Sequence, residues 1–99
     1  MILVRDVFQL KFGKAKEAKA LLRERAHIWT NAGLAVPRQL MDLTGPYYTL
    51  VLEGAYESLA GWEAAMRTVH GAREWAAWFE EFSPLVESGH REIFTVVEP

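Results

Sequence analysis

The chain has 99 residues, 51% hydrophobic and 24% charged: one domain's length, and too apolar for a disordered chain. Its 11 basic and 13 acidic residues leave a formal net charge of −2, whereas a dedicated nucleic-acid binder needs a basic excess to neutralise phosphates. There is no cysteine, which excludes a disulfide framework, a thiolate metal site and a Cys nucleophile.

Residues 2–12 alternate: Ile2, Val4, Phe8, Leu10 and Phe12 share one face with Asp6, the single charge among them. This predicts a strand ended by Gly13. A helix is predicted over 14–32. Ala18, Leu21, Leu22, Ile28, Trp29 and Ala32 form its apolar stripe, Arg25 stands in the middle of that stripe, and Gly33 terminates the helix. Val36 to Leu43 reads as a second strand with an irregular entry at Pro37. Thr44-Gly45-Pro46 is turn chemistry, and Tyr47 to Glu53 is a third strand closed by Gly54.

Ser58 is a suitable N-cap for a helix carrying Leu59, Trp62, Met66 and Val69. The stripe restarts after Gly71 at Trp75, Trp78, Phe79 and Phe82, so a break is expected within 69–74. Leu85 to Gly89 then links to a last strand, Glu92 to Glu98.

The order is β-α-β-β-α-β. This is the α+β, ferredoxin-like arrangement of a four-stranded antiparallel sheet with helices on one face. It fills a single domain over 1–99. Both parities of the third and last strands carry large apolar groups, as in Leu50 and Leu52 against Val51, and Phe94 and Val96 against Ile93 and Val97. A sheet apolar on both faces is covered on both. The simplest cover is a second copy, so a homodimer through the sheet face is expected.

The longest run without Asp, Glu, Lys or Arg, Ala26 to Pro37, is shorter than the ~20 residues of a spanning helix. Arg5 and Asp6 arrive too early for a signal-peptide core. A cytoplasmic protein with neither a membrane nor a nucleic-acid partner is the expectation.

The stretch Tyr56-Glu57-Ser58-Leu59, Trp62, Arg67, Glu74-Trp75, Trp78-Phe79, Pro84-Leu85, Ser88 and Arg91-Glu92-Ile93 resembles the NIPSNAP-like family of the dimeric α+β barrel superfamily. Lys11-Phe12-Gly13 and the first strand and helix resemble it too. The resemblance implies a barrel of two facing sheets and no settled reaction. Where the family often carries an aromatic at the end of the third strand, this chain has Gly54.

His27, His70 and His90 fall in three separate elements and make no metal site. Motifs for nucleotide binding and for serine hydrolysis are missing. Six of the basic residues, Lys11, Lys14, Lys16, Lys19, Arg23 and Arg25, lie along the first turn and helix, but Glu17 and Glu24 interrupt them, as on a solvated face. Trp29, Trp62, Trp75 and Trp78 all fall on apolar stripes, which fits core packing or the walls of a pocket between sheet and helices.

Such a pocket suggests a ligand-binding or interaction module for a small molecule, with no cofactor. The alternative is a cofactor-independent or haem-degrading monooxygenase. Asp6, Trp62 and His70 resemble the haem-degrading pattern loosely, with Asp where those enzymes have Asn. Asp6 lies ~20 Å back from Phe12 along a strand at ~3.3 Å per residue. A helix returning at ~1.5 Å per residue comes level with it near Arg25. The expectation is an ion pair between Asp6 and Arg25, and a ligand site formed by Asp6, Arg25, Trp29, Trp62 and Met66.

Overall fold

Period-2 alternation and a 3.6-residue stripe leave few ways to bury their apolar sides together, and the chain takes one of them. The computed structural model describes residues 1–98. Its elements are β1 (Ile2–Leu10), α1 (Ala15–Asn31), β2 (Arg38–Met41), β3 (Thr49–Tyr56), α2 (Leu59–His70), α3 (Trp75–Phe82), a 3-10 turn (Ser83–Leu85) and β4 (Val86–Thr95). The strands form one antiparallel sheet in the order β2-β3-β1-β4. The fold is α+β and ferredoxin-like, with the helices on one face.

Several boundaries move from those read in the sequence. β1 stops at Leu10 because Lys11 N–H turns to the Leu85 carbonyl, 2.7 Å away. Gly13 then takes the left-handed turn at φ 81°. β2 is only four residues long; Pro37, which has no N–H for a ladder, stands immediately before it. β3 begins at Thr49 because Tyr48 sits at φ 63° in the preceding turn.

Gly54 does not close β3. It pairs with Val4, and the strand runs on to Tyr56. β4 begins at Val86, well before Glu92. Glu87-Ser88-Gly89-His90 has the composition of a turn, yet Ser88, Gly89 and His90 pair with Gln9, Phe8 and Val7, and Glu87 falls at the register shift between Gln9 and Leu10. Gly89 is opposite Phe8, and a Cβ there would lie 3.0 Å from Phe8 Cδ1 and 3.2 Å from the Val7 carbonyl. The expected helix break is present between His70 and Trp75, and Ser58 caps α2 by accepting from Gly61 N–H at 3.0 Å.

The core divides in two. Leu10, Ala18, Leu22, Leu50, Leu52, Trp78, Phe82 and Leu85 form the larger part. Ile28, Trp29 and Val69 form the smaller. Arg25 lies between Leu22 and Ile28 on the same stripe, and it is buried. The outer sheet face carries a charged row across all four strands, Arg38–Glu53–Arg5–Glu92, with contacts of 2.7, 3.5 and 3.8 Å. Apolar rows flank it: Leu40, Val51 and Val7 on one side, Ala55, Leu3 and Phe94 on the other. Among the described residues no helix is long and apolar enough to cross a membrane.

Candidate functional site: a cavity between sheet and helices

A cavity of about 460 Å³ separates the inner sheet face from the helices. Alternation supplies its floor: Val4, Asp6 and Phe8 from β1, Leu52, Gly54 and Tyr56 from β3, and Arg91 from β4. Helical spacing supplies its roof. Arg25 and Trp29 are one turn apart on α1, Trp62 and Met66 one turn apart on α2, and Trp75, Trp78, Phe79 and Phe82 occupy one face of α3. His70 reaches the cavity from the last position of α2. All four tryptophans line this space. A shallower depression shares Trp62, Met66, His70 and Arg91 with it, so α2 and β4 frame the opening.

Asp6 and Arg25 both line the cavity, but the expected ion pair between them does not form. Arg91, directly opposite Asp6 in the β1–β4 register, donates from Nε to Asp6 Oδ1 at 2.6 Å. Opposed residues on neighbouring strands have Cβ atoms only ~4.5–5.5 Å apart, a shorter reach than from the helix layer. The Arg91 guanidinium also lies over the Trp62 ring, 5.0 Å from its centroid, which ties β4 to α2.

Arg25 is held by indoles instead. Its Cζ is 4.2 Å from the Trp29 ring centroid and 5.2 Å from that of Trp78. Trp78 is fixed in turn, because its Nε1 donates to the Leu21 carbonyl at 2.7 Å. Arg25 is 4% exposed, and its Nε and Nη2 have no hydrogen-bond partner among the described residues. Trp29 Nε1 is likewise buried and makes no well-formed hydrogen bond among the described residues, although it lies near enough to the Tyr56 phenol to oppose the rise in that group's pKa. Burial lowers the Arg25 pKa to about 10, against the opposing pull of Asp6. Arg25 therefore remains a cation at neutral pH.

Two further groups shape the floor and the opening. A Cβ on Gly54 would lie 3.1 Å from the Tyr56 ring, so the missing side chain gives that ring its place. An aromatic thus stands at the end of the third strand after all, two residues beyond Gly54. Burial raises the Tyr56 pKa, keeping the phenol protonated. The His70 ring lies 4.7 Å from that of Trp75. Burial and then Arg91 lower its pKa, with Asp6 opposing.

The five residues expected to form the site, Asp6, Arg25, Trp29, Trp62 and Met66, all face this one space. Sequence reasoning missed Tyr56, and it left Trp75 and Trp78 open between core packing and a pocket wall, naming neither among the site residues. It also left Arg91 without a role. The run Trp75, Trp78, Phe79, Phe82 was a signal for a cavity wall, indistinguishable in sequence from a core stripe. His27 and His90 are exposed and do not line the cavity, although each stands within two residues of a group that does.

The fold, a ferredoxin-like sheet with helices on one face, is shared with known structures. A NIPSNAP family protein from Agrobacterium tumefaciens superposes with a TM-score of 0.89 at 20% identity, over 98% of this chain and 93% of that one. An uncharacterised NIPSNAP domain protein from Burkholderia xenovorans gives 0.87 at 15% identity, over 98% and 95%. An antibiotic biosynthesis monooxygenase gives 0.76 at 14% identity, over 99% and 100%. No family model matches the chain, and no curated protein is similar to it. At these identities the likeness establishes the fold: that of the NIPSNAP proteins, shared more distantly with the monooxygenases.

Proposed function

We propose that the protein binds a small, largely apolar molecule in the cavity between sheet and helices. One observation carries this reading. The space is walled by four indoles and is of ligand size, and polar groups collect in it: Asp6 with Arg91, Arg25, Tyr56 and His70. Apolar walls with a few convergent polar groups are what a small-molecule site requires. NMR titration with a neutral bicyclic aromatic, 2-acetonaphthone, tests it. Saturable shifts of the four indole N–H signals at one ligand per chain, with Val51 and Phe94 on the outer face unmoved, are expected. Absence of any saturable indole shift overturns it.

The second reading is an oxygenase, cofactor-independent or haem-degrading. Its support is that Asp6, Trp62 and His70 line the same cavity, and that the fold is shared with an antibiotic biosynthesis monooxygenase. A Soret band of defined stoichiometry on adding haem favours it. An unaltered haem spectrum counts against the haem-degrading form.

The reading includes a homodimer through the outer sheet face, in the cytoplasm. The support is apolar surface that the monomer leaves open, Phe94 at 47% and Leu40 at 36% exposed. The charged row between the apolar rows alternates in sign, so it can meet a second copy of itself in register.

A further inference from the structure

The cavity carries one positive charge in excess. Its charged lining residues are Asp6, Arg25 and Arg91, and Arg91 already engages Asp6. Arg25 is left over. It is almost fully buried, and two of its nitrogens have no acceptor among the described residues. The indoles of Trp29 and Trp78 attract its charge through their ring faces, but they offer no lone pair to N–H groups in the guanidinium plane. Buried charged donors left unmet are costly, and native proteins meet them. Neither nitrogen is open to solvent in this structure, so a ligand must part the flanking indoles to reach them, and water in the cavity does not accept from them. Nor can water supply the missing negative charge.

Resting on the binding reading above, the geometry points to a flat aromatic carboxylic acid as the ligand class, its carboxylate on Arg25 and its rings among the indoles. A planar two-oxygen anion matches the fork of one guanidinium. A phosphate or sulfate fits less well, since its oxygens radiate in all directions and the walls here are aromatic. Tyr56, a neutral phenol on the same cavity, adds a donor without adding charge. The ligand's single negative charge makes the set Asp6, Arg25, Arg91 and ligand neutral.

Calorimetric titration with 2-naphthoate and its neutral isostere 2-acetonaphthone tests the inference. The acid is expected to bind about tenfold tighter or more, the size of one charge-assisted hydrogen bond. Arg25→Met, checked for folding by urea melt, should abolish that preference while still binding the ketone. Arginine Nε–H spectra of the unmutated protein report without any variant: the Arg25 signal should move on adding 2-naphthoate, and that of Arg91 should stay. Equal affinity for acid and ketone overturns the carboxylate and leaves the cavity reading standing. A preference that survives Arg25→Met, or a shift at Arg91 in place of Arg25, overturns the role of Arg25. Binding of neither compound overturns the cavity reading and the inference with it.

Discussion

Asp6 and Arg91 face each other across the β1–β4 ladder, 2.6 Å from carboxylate to guanidinium, at the floor of the cavity. Their side chains are 27% and 47% exposed, so water screens the pair. Breaking it by Arg91→Gln should cost no more than about 1 kcal/mol of stability. A double-mutant cycle with Asp6→Asn, read by urea melts, checks this. A coupling of several kcal/mol would mean that the pair is far less screened than its exposure indicates.

That pair also marks where the sequence is legible and where it is not. Asp6 was visible as the one charge on the inner face of β1, and Arg25 as the one charge in the α1 stripe, because periodicity locates anomalies. Which anomaly meets which depends on strand order and register, and these depend on β4. Glu87-Ser88-Gly89-His90 hid the first half of β4. Its glycine is there to seat the Phe8 ring from the neighbouring strand, a cause that local propensity does not contain. With β4 starting late, Arg91 had no place on the inner face. The break at Gly71 and the α2 cap at Ser58 were readable, since both are fixed by adjacent residues.

His70 gives stability a pH dependence. Its pKa is lowered in the folded protein, by burial first and by Arg91 second, from an ordinary value near 6.5. The folded state therefore binds fewer protons at this site than the unfolded chain. Stability rises with pH between the lowered pKa and about 6.5, is flat above, and is lost as the pH falls through that window. His70→Gln should flatten this part of the curve. Urea melts of both proteins from about pH 5 to 8 measure the difference; identical slopes would remove His70 as the source.

The outer sheet face makes a prediction about assembly. Light scattering after size exclusion should give twice the 11.3 kDa of one chain. Phe94→Glu together with Leu40→Glu should give a folded monomer. Both side chains are already 36–47% exposed in the single chain, so the charges tax the interface more than the fold. A monomer before mutation refutes the dimer.

Gly54 and Gly89 both make room for an aromatic ring on the inner face, yet alanine should act differently at the two. At Gly89 the added Cβ meets Phe8 Cδ1 at 3.0 Å and the backbone carbonyl of Val7 at 3.2 Å. The carbonyl belongs to the neighbouring strand and cannot swing aside, so overpacking of about 1–3 kcal/mol is expected. At Gly54 all three nearest atoms belong to the Tyr56 ring, the closest at 3.1 Å. That ring can rotate toward the cavity it already lines. The loss is then offset by the ~0.4–1 kcal/mol that Gly→Ala removes from the freedom of the unfolded chain. Gly54→Ala should therefore melt close to the unmutated protein but bind 2-acetonaphthone more weakly, because the displaced ring narrows the cavity. Gly89→Ala should melt earlier. Urea midpoints and ketone titrations of the two variants separate the effects. Unchanged ketone affinity in Gly54→Ala would show that Tyr56 yields away from the cavity.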